Sequence, residues 1–234
     1  MKIFFFACML LVASASALPK QSVEVEVLED NAIDAQAREA RLVSNTIRRI
    51  IENLKREIRD AGLDPLFIER FDYEYNVPFV VNIKVFVDNL SFSGISNIVI
   101  RTMDYNLILN RLRFDLSMPR ISLSVENAGI TARALFQDHK ASGNGFLNIN
   151  EIRVVGEVRV NIGIISGITI RSIDIQFSLG GINADINVVV LGQDYSDIVN
   201  EVLNDWIPSL LKQYEVEINE AIADLIKFIV DWVL

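Results

Sequence analysis

Cysteine occurs once, at Cys8, and histidine once, at His139. A zinc centre needs several such ligands, and a histidine-based triad would rest on His139 alone. That residue lies in the polar stretch FQDHKASGNG, where it reads as a solvated loop histidine. There is no phosphate loop, no dinucleotide fingerprint and no H-E-x-x-H pattern. Carboxylates are plentiful, but no pair sits in a recognisable catalytic setting. No metal, cofactor or catalytic residue is expected, and the chain does not read as an enzyme. Basic residues are also short: 22 Lys and Arg face 31 Asp and Glu, for a net charge of −9. That balance argues against a nucleic-acid partner, whose phosphates need cations. It also provides no general attraction to anionic membranes.

Long hydrophobic runs are scarce too. One of them, IFFFACMLLVA, follows Met1-Lys2 and precedes the small-residue pattern ASA at 15–17. Too short to cross a bilayer, it reads as a secretory signal peptide, residues 1–17, cleaved after Ala17. The protein is therefore expected to be secreted and extracellular, with no stable membrane insertion. Cleavage removes Cys8 and Lys2, leaving a disulfide-free chain of net charge −10. Such a chain needs a core that stands without staples. Its thermal midpoint should be identical with and without a thiol reductant. A clear fall in reductant would show that a disulfide survives in the secreted form.

The stretch 18–30 is mixed, with Val and Glu alternating in SVEVEVLED, and reads as a flexible arm. From about Asn31 the spacing of Val43, Ile47, Ile50, Ile51, Leu54 and Ile58 is that of a long amphipathic helix. Gly62 is placed to cap it, and Pro65 follows. Strand alternation then dominates to about Leu191. It is longest in FVVNIKVFVDNLSF, where Phe79, Val81, Ile83, Val85 and Val87 share one face. LRFDLSM, ISLSV, ITARALF, ITIRSIDIQFSL and INADINVVV alternate likewise, with an interruption at Pro119. In EIRVVGEVRVNIGII, Gly156 suggests a bulge or bend. The SGNG, GG and SG steps have turn chemistry. Helical period returns from about Tyr195, with a kink or break expected at Pro208.

Between Arg38 and Arg59 lie seven basic residues and three glutamates, whereas 194–234 has nine acids and two lysines. Two arrangements answer that asymmetry: the basic helix docks on anionic headgroups, or it is a solvated face paired with the acidic C-terminal segment. The second suits the acidic chain better. Asn89-Leu90-Ser91 is an N-glycosylation sequon, usable if Asn89 points outward.

Helices segregated from one-sided antiparallel strands define an α+β domain. The segment AGLDPLFIERFDYEY after a long helix resembles the G-x-x-DPL junction of insect takeout and juvenile-hormone-binding proteins. NLSFSGISNIVI and ASGNGFLNINEIRVVGEVRVNIG resemble their glycine-bearing strands. The layout over 31–234 is similar to mite group 7 allergens, which also lack disulfides, and so to the tubular lipid-binding (TULIP) superfamily. Takeout proteins usually carry an N-terminal cysteine pair that this mature chain lacks, which favours the allergen-like side.

The resemblance implies a single super-roll, a strongly curved antiparallel sheet wrapped around long N- and C-terminal helices, with an elongated apolar cavity between them. The implied function is a secreted carrier for a fatty acid, phospholipid or terpenoid. The implied lining is Phe79, Val81, Ile83, Val85 and Val87 with Ile47, Ile51, Leu54, Ile186, Val188, Trp206 and Leu210. The same pattern suits a filled core, and with it a cargo-free secreted interaction or innate-immunity protein. The sequence leaves the oligomeric state open.

Overall fold

The computed structural model describes residues 29–77, 81–134, 137–163 and 167–233. The expected leader and most of the arm lie outside them. The first helix, α1, spans Glu29–Asp60, so Glu29 and Asp30 belong to it rather than to the arm. Ile47, Ile51, Leu54 and Ile58 are its buried stripe. It ends as the glycine requires: Gly62 takes φ +67°, its N–H donates to the Arg59 carbonyl, and the Leu63 N–H donates to that of Ile58.

Seven strands follow: β1 Leu66–Val77, β2 Val81–Ser93, β3 Val99–Asn106, β4 Arg111–Ala134, β5 Gln137–Gly163, β6 Gly167–Val190 and β7 Gln193–Asp194. They form one unclosed antiparallel sheet in the order β1-β2-β4-β5-β6-β7, with β3 pairing separately to β4. The chain closes with α2 Ser196–Glu201, a π-helical turn Val202–Trp206, α3 Ile207–Gln213 and α4 Glu215–Val233. Pro208 lies in the first turn of α3, so the expected break falls at the π turn just before it. α1 lies on β3 and α4 on β6, the α+β layout anticipated.

β4, β5 and β6 run 24, 27 and 24 residues, against about 5–6 for an ordinary strand. They stay continuous because two seams cross the sheet. In the first, Glu69, Asn89 and Glu126 stand opposite one another without ladder pairing, and β4 carries an extra residue against β5 between Val125 and Ala128. In the second, Pro119, Glu151 and Gly180 do the same. Asn89 and Glu151 both take φ +49°, and Gly181 takes +145°. Each seam shifts the alternation by one residue in three strands together. Exposed pairs mark the shift, Glu69-Arg70 in β1 and Pro119-Arg120 in β4. Strict alternation would turn Ile121 away from the face of Met118, and the extra residue returns it.

LRFDLSM, ISLSV and most of ITARALF are thus one strand, not three. SGNG and GG lie inside β5 and β6 rather than in turns. Their glycines allow close backbone approach: a Cβ on Gly145 would sit 2.1 Å from the Asp185 carbonyl oxygen. Gly156 is not a bend. It pairs in register with Phe114 and Ile175, and a Cβ there would fall 2.3 Å from the Phe114 ring. The glycine makes room for that ring, which packs with Ile47, Ile51 and Met103 under α1.

Two strand edges are closed by helix side chains. Ser44 Oγ accepts from the Tyr105 N–H at 3.0 Å, and Arg48 donates to the Met103 carbonyl at 3.2 Å, which ties α1 along β3. On β6, Ser196 Oγ accepts from the Val188 N–H. Asn200 and Asn204 each clasp both backbone groups of one residue, Ile186 and Ala184, at 2.7–2.9 Å. Asn219 accepts from the Phe177 N–H. The match is metric: four helical residues rise about 6.0 Å and two strand residues about 6.6 Å. The outer edge of β1 instead carries Arg70, Asp72 and Glu74, charges that discourage pairing with another chain.

Among the described residues the α1 cations do not meet the acidic C-terminal segment. Among the described residues Lys55 pairs with Glu52, Arg56 donates to Asn53 and Arg59 to Ser96. The reason is placement: α1 and α4 rest on different strands.

Candidate functional site

The apolar face covered by α1 at Phe114 continues past both seams into the half of the sheet built from β1, β2 and the distal parts of β4, β5 and β6. Cross-strand register fixes which side chains share that face. One row runs Phe71–Val87–Ala128–Gly143–Val188. The next runs Tyr73–Val85–Ile130–Ala141–Val190, and a third Tyr75–Ile83–Ala132–His139. Large residues stand on β1, β2 and β6. The middle strands offer Ala128, Ala132, Ala141 and Gly143, with Ile130 and, at the end of the third row, His139 of full size. The result is a trough spanning four strand spacings, roughly 19 Å, walled by aromatics on β1 and valines on β6.

Of the residues expected to line a cavity, Ile83, Val85 and Val87 stand half-buried in this trough, with Val188 across from them. Ile186 lies one row further, opposite Gly145. Val81 pairs with Val77 and Ala134 at the strand start, and Phe79 lies outside the described residues. Ile47 and Ile51 are elsewhere, buried against Met103, Leu112 and Phe114, and Leu54 is buried further along the same stripe. Trp206 and Leu210 are 56% and 48% exposed, on the turn and helix that follow the β6 clasps. The structure thus brings the β2 and β6 residues together and places the α1 residues in a separate cluster.

Sequence reading missed Phe71, Tyr73 and Tyr75, which are 49–53% exposed and form the aromatic wall. Their alternation in RFDYEYNV is the signal that could have found them. The alanines are legible in ITARALF as inward positions, but their role as floor needs the register. His139 is exposed on β5 rather than on a loop.

The site's electrostatics are confined to the seams and the outer face. Asn89 lies in a cleft of ≈ 370 Å³ with Glu69, Arg70, Asp88, Glu126 and Asn127, and its amide donates to Glu126. Arg153 grips Asp115 through two hydrogen bonds of 2.9 and 2.7 Å, holding that carboxyl below its ordinary range. No Asp, Glu, Lys or Arg side chain occupies the three trough rows, and His139 ends the third. Such a surface offers apolar area and shape rather than charge. Among the described residues there is no cluster of potential metal ligands, and no helix is long and apolar enough to cross a membrane.

No curated protein sequence matches the chain. Among solved structures, Takeout 1 of Epiphyas postvittana is similar at 16% identity and a TM-score of 0.37, over 75% of this chain and 82% of that one. A lipopolysaccharide binding protein is similar at 11% identity and a TM-score of 0.25, over 81% of this chain and 36% of that one. The model of the haemolymph juvenile hormone binding protein family matches residues 5–234. With or without the cysteine pair, the chain belongs to the haemolymph juvenile hormone binding protein family.

Proposed function

We propose that the protein is a secreted carrier for an apolar small molecule of the fatty-acid or terpenoid class, held in the trough between β1 and β6. The observation that carries this reading is the floor of Ala128, Ala132, Ala141 and Gly143 between walls of large apolar residues. A face meant only for self-packing fills such positions, because an apolar void forfeits contacts on all sides. A ligand chain laid there contributes about 0.8 kcal/mol per buried CH₂, so a dozen carbons supply several kcal/mol before the cost of association. Family membership supports a carrier, and the signal-like leader supports secretion. The absence of charges from the trough rows suits a ligand without an ionised anchor at its middle.

Ala132→Trp tests this directly. Ala132 stands mid-row between Ile83 and His139, so an indole there occupies trough volume. Binding of a long-chain fluorescent lipid should weaken by about tenfold or more, while the denaturant midpoint holds. In a filled core the same change would overpack and cost about 1–3 kcal/mol. Lost stability with unchanged lipid affinity would overturn the trough as the site.

A further inference from the structure

We propose that the outer face of α1 is a docking surface for anionic lipid bilayers, a role beyond ligand carriage. At 100° per residue, the exposed Arg38, Arg41, Arg49, Arg56 and Arg59 fall within a sector of about 80° on the side of α1 away from the buried stripe of Ile47, Ile51 and Leu54, and the half-buried Arg48 and Lys55 flank it, Arg48 bonded to the Met103 carbonyl. Asp34 and Glu52 are the acids inside that sector, and Asp30 and Asp60 stand at its margins; Glu39 and Glu57 lie together on one flank, outside it. The cations extend over about 32 Å of helix. Arg38, Arg41, Arg49, Arg56 and Arg59 are exposed. Among the described residues the one carboxylate bonded to any of the seven is Glu52, on Lys55.

This concentration stands out in a chain of net charge −9. Nine of the 31 acids lie in 194–234, which packs on β6, away from the α1 face. Screening confines attraction to charges within about 8–10 Å of the surface, so the distant acids do not cancel the cationic stripe. Leu42, 64% exposed, stands beside Arg38 and Arg49. A straight cationic stripe carrying an exposed leucine fits a planar array of anionic headgroups with acyl chains beneath. A sulfated glycan would use the charges and leave Leu42 idle.

The test is cosedimentation of the full secreted chain with vesicles. Phosphatidylcholine containing roughly 30 mol% phosphatidylserine should bind it at low salt, phosphatidylcholine alone should not, and about 0.5 M salt should release it. Each interfacial cation contributes about fivefold, so Arg38→Glu/Arg49→Glu/Arg56→Glu should weaken binding at least a hundredfold. These side chains are exposed, so the circular dichroism spectrum and thermal midpoint should match the parent. If the reversal fails to fold, the triple Arg→Gln variant and the salt titration of the parent give the same reading. Undiminished vesicle binding by the variant, or equal binding to both lipid compositions, overturns the proposal. Capture on heparin without vesicle binding overturns it in favour of a sulfated glycan.

Discussion

Asp64→Ala should lower the stability of the fold by about 3–5 kcal/mol, a large part of the ~5–15 kcal/mol typical of a domain. Asp64 is 5% exposed, and its carboxylate accepts from the Gly94 N–H at 2.8 Å and the Ser96 N–H at 2.5 Å. Arg59, at the end of α1, reaches Ser96 from the other side at 3.5 Å. The clasp therefore joins the helix end, the start of β1 and the turn after β2. Alanine would leave two amide donors buried without partners. Burial pushes the Asp64 carboxyl up, but the hydrogen bonds from Ser96 and Gly94 prevail and hold it below 3.8. A carboxyl depressed in the folded state stabilises fully above its unfolded value and loses that contribution as pH falls through its folded value. The stability gap between parent and Asp64→Asn should thus be constant above about pH 4 and narrow below it. Denaturant titrations of both proteins across that range measure the gap. A gap that widens on acidification would show that the carboxylate is not the stabilising form.

Asn200→Leu/Asn204→Leu should have a comparable or larger effect and a different symptom. The pair supplies four hydrogen bonds to the backbone of Ile186 and Ala184. Leucine keeps the helix over β6 but leaves four peptide groups without partners, each costing about 1–3 kcal/mol if it stays buried. If the helix lifts instead, it bares a 24-residue strand edge, a template for pairing with other chains. The expected result is loss of soluble, cooperatively unfolding protein, read by ultracentrifugation and denaturant titration. Asn200→Ser alone should be mild, because Ser196 already serves Val188 through one oxygen. A double variant that stays soluble with an unchanged midpoint would show that the clasps are ornamental.

Much of this architecture is legible in the order of residues, for reasons that are local. A 4-3-4 apolar stripe can be buried only as a helix, and Gly62 is free to take the positive φ that ends it. Long alternation can be buried only as strand. What escaped were features set by partners in other strands. Pro119 and the Gly180-Gly181 pair look like stops until β5 supplies the opposing Glu151. Gly156 looks like a bend until Phe114 is laid across it. The trough was half legible: Ile83, Val85 and Val87 announce a face, but the alanines beside them say nothing until register sets them in a row. The DPL and SGIS segments carried the resemblance separately, and the Asp64 clasp shows that they are one contact.

The seams also couple the lengths of strands that are far apart in sequence. Deleting one residue from β4 near Pro119 would exchange the inner and outer sides of everything from Ile121 to the next seam. No compensation inside β4 would undo the mismatch with β5. Balanced change requires the matching residue to leave β5 near Glu151 and β6 near Gly180 as well. Viable insertions and deletions at this line therefore come in threes, about thirty residues apart along the chain. An aligner that charges for each gap separately would score such a relative as three unrelated accidents, when the sheet counts them as one.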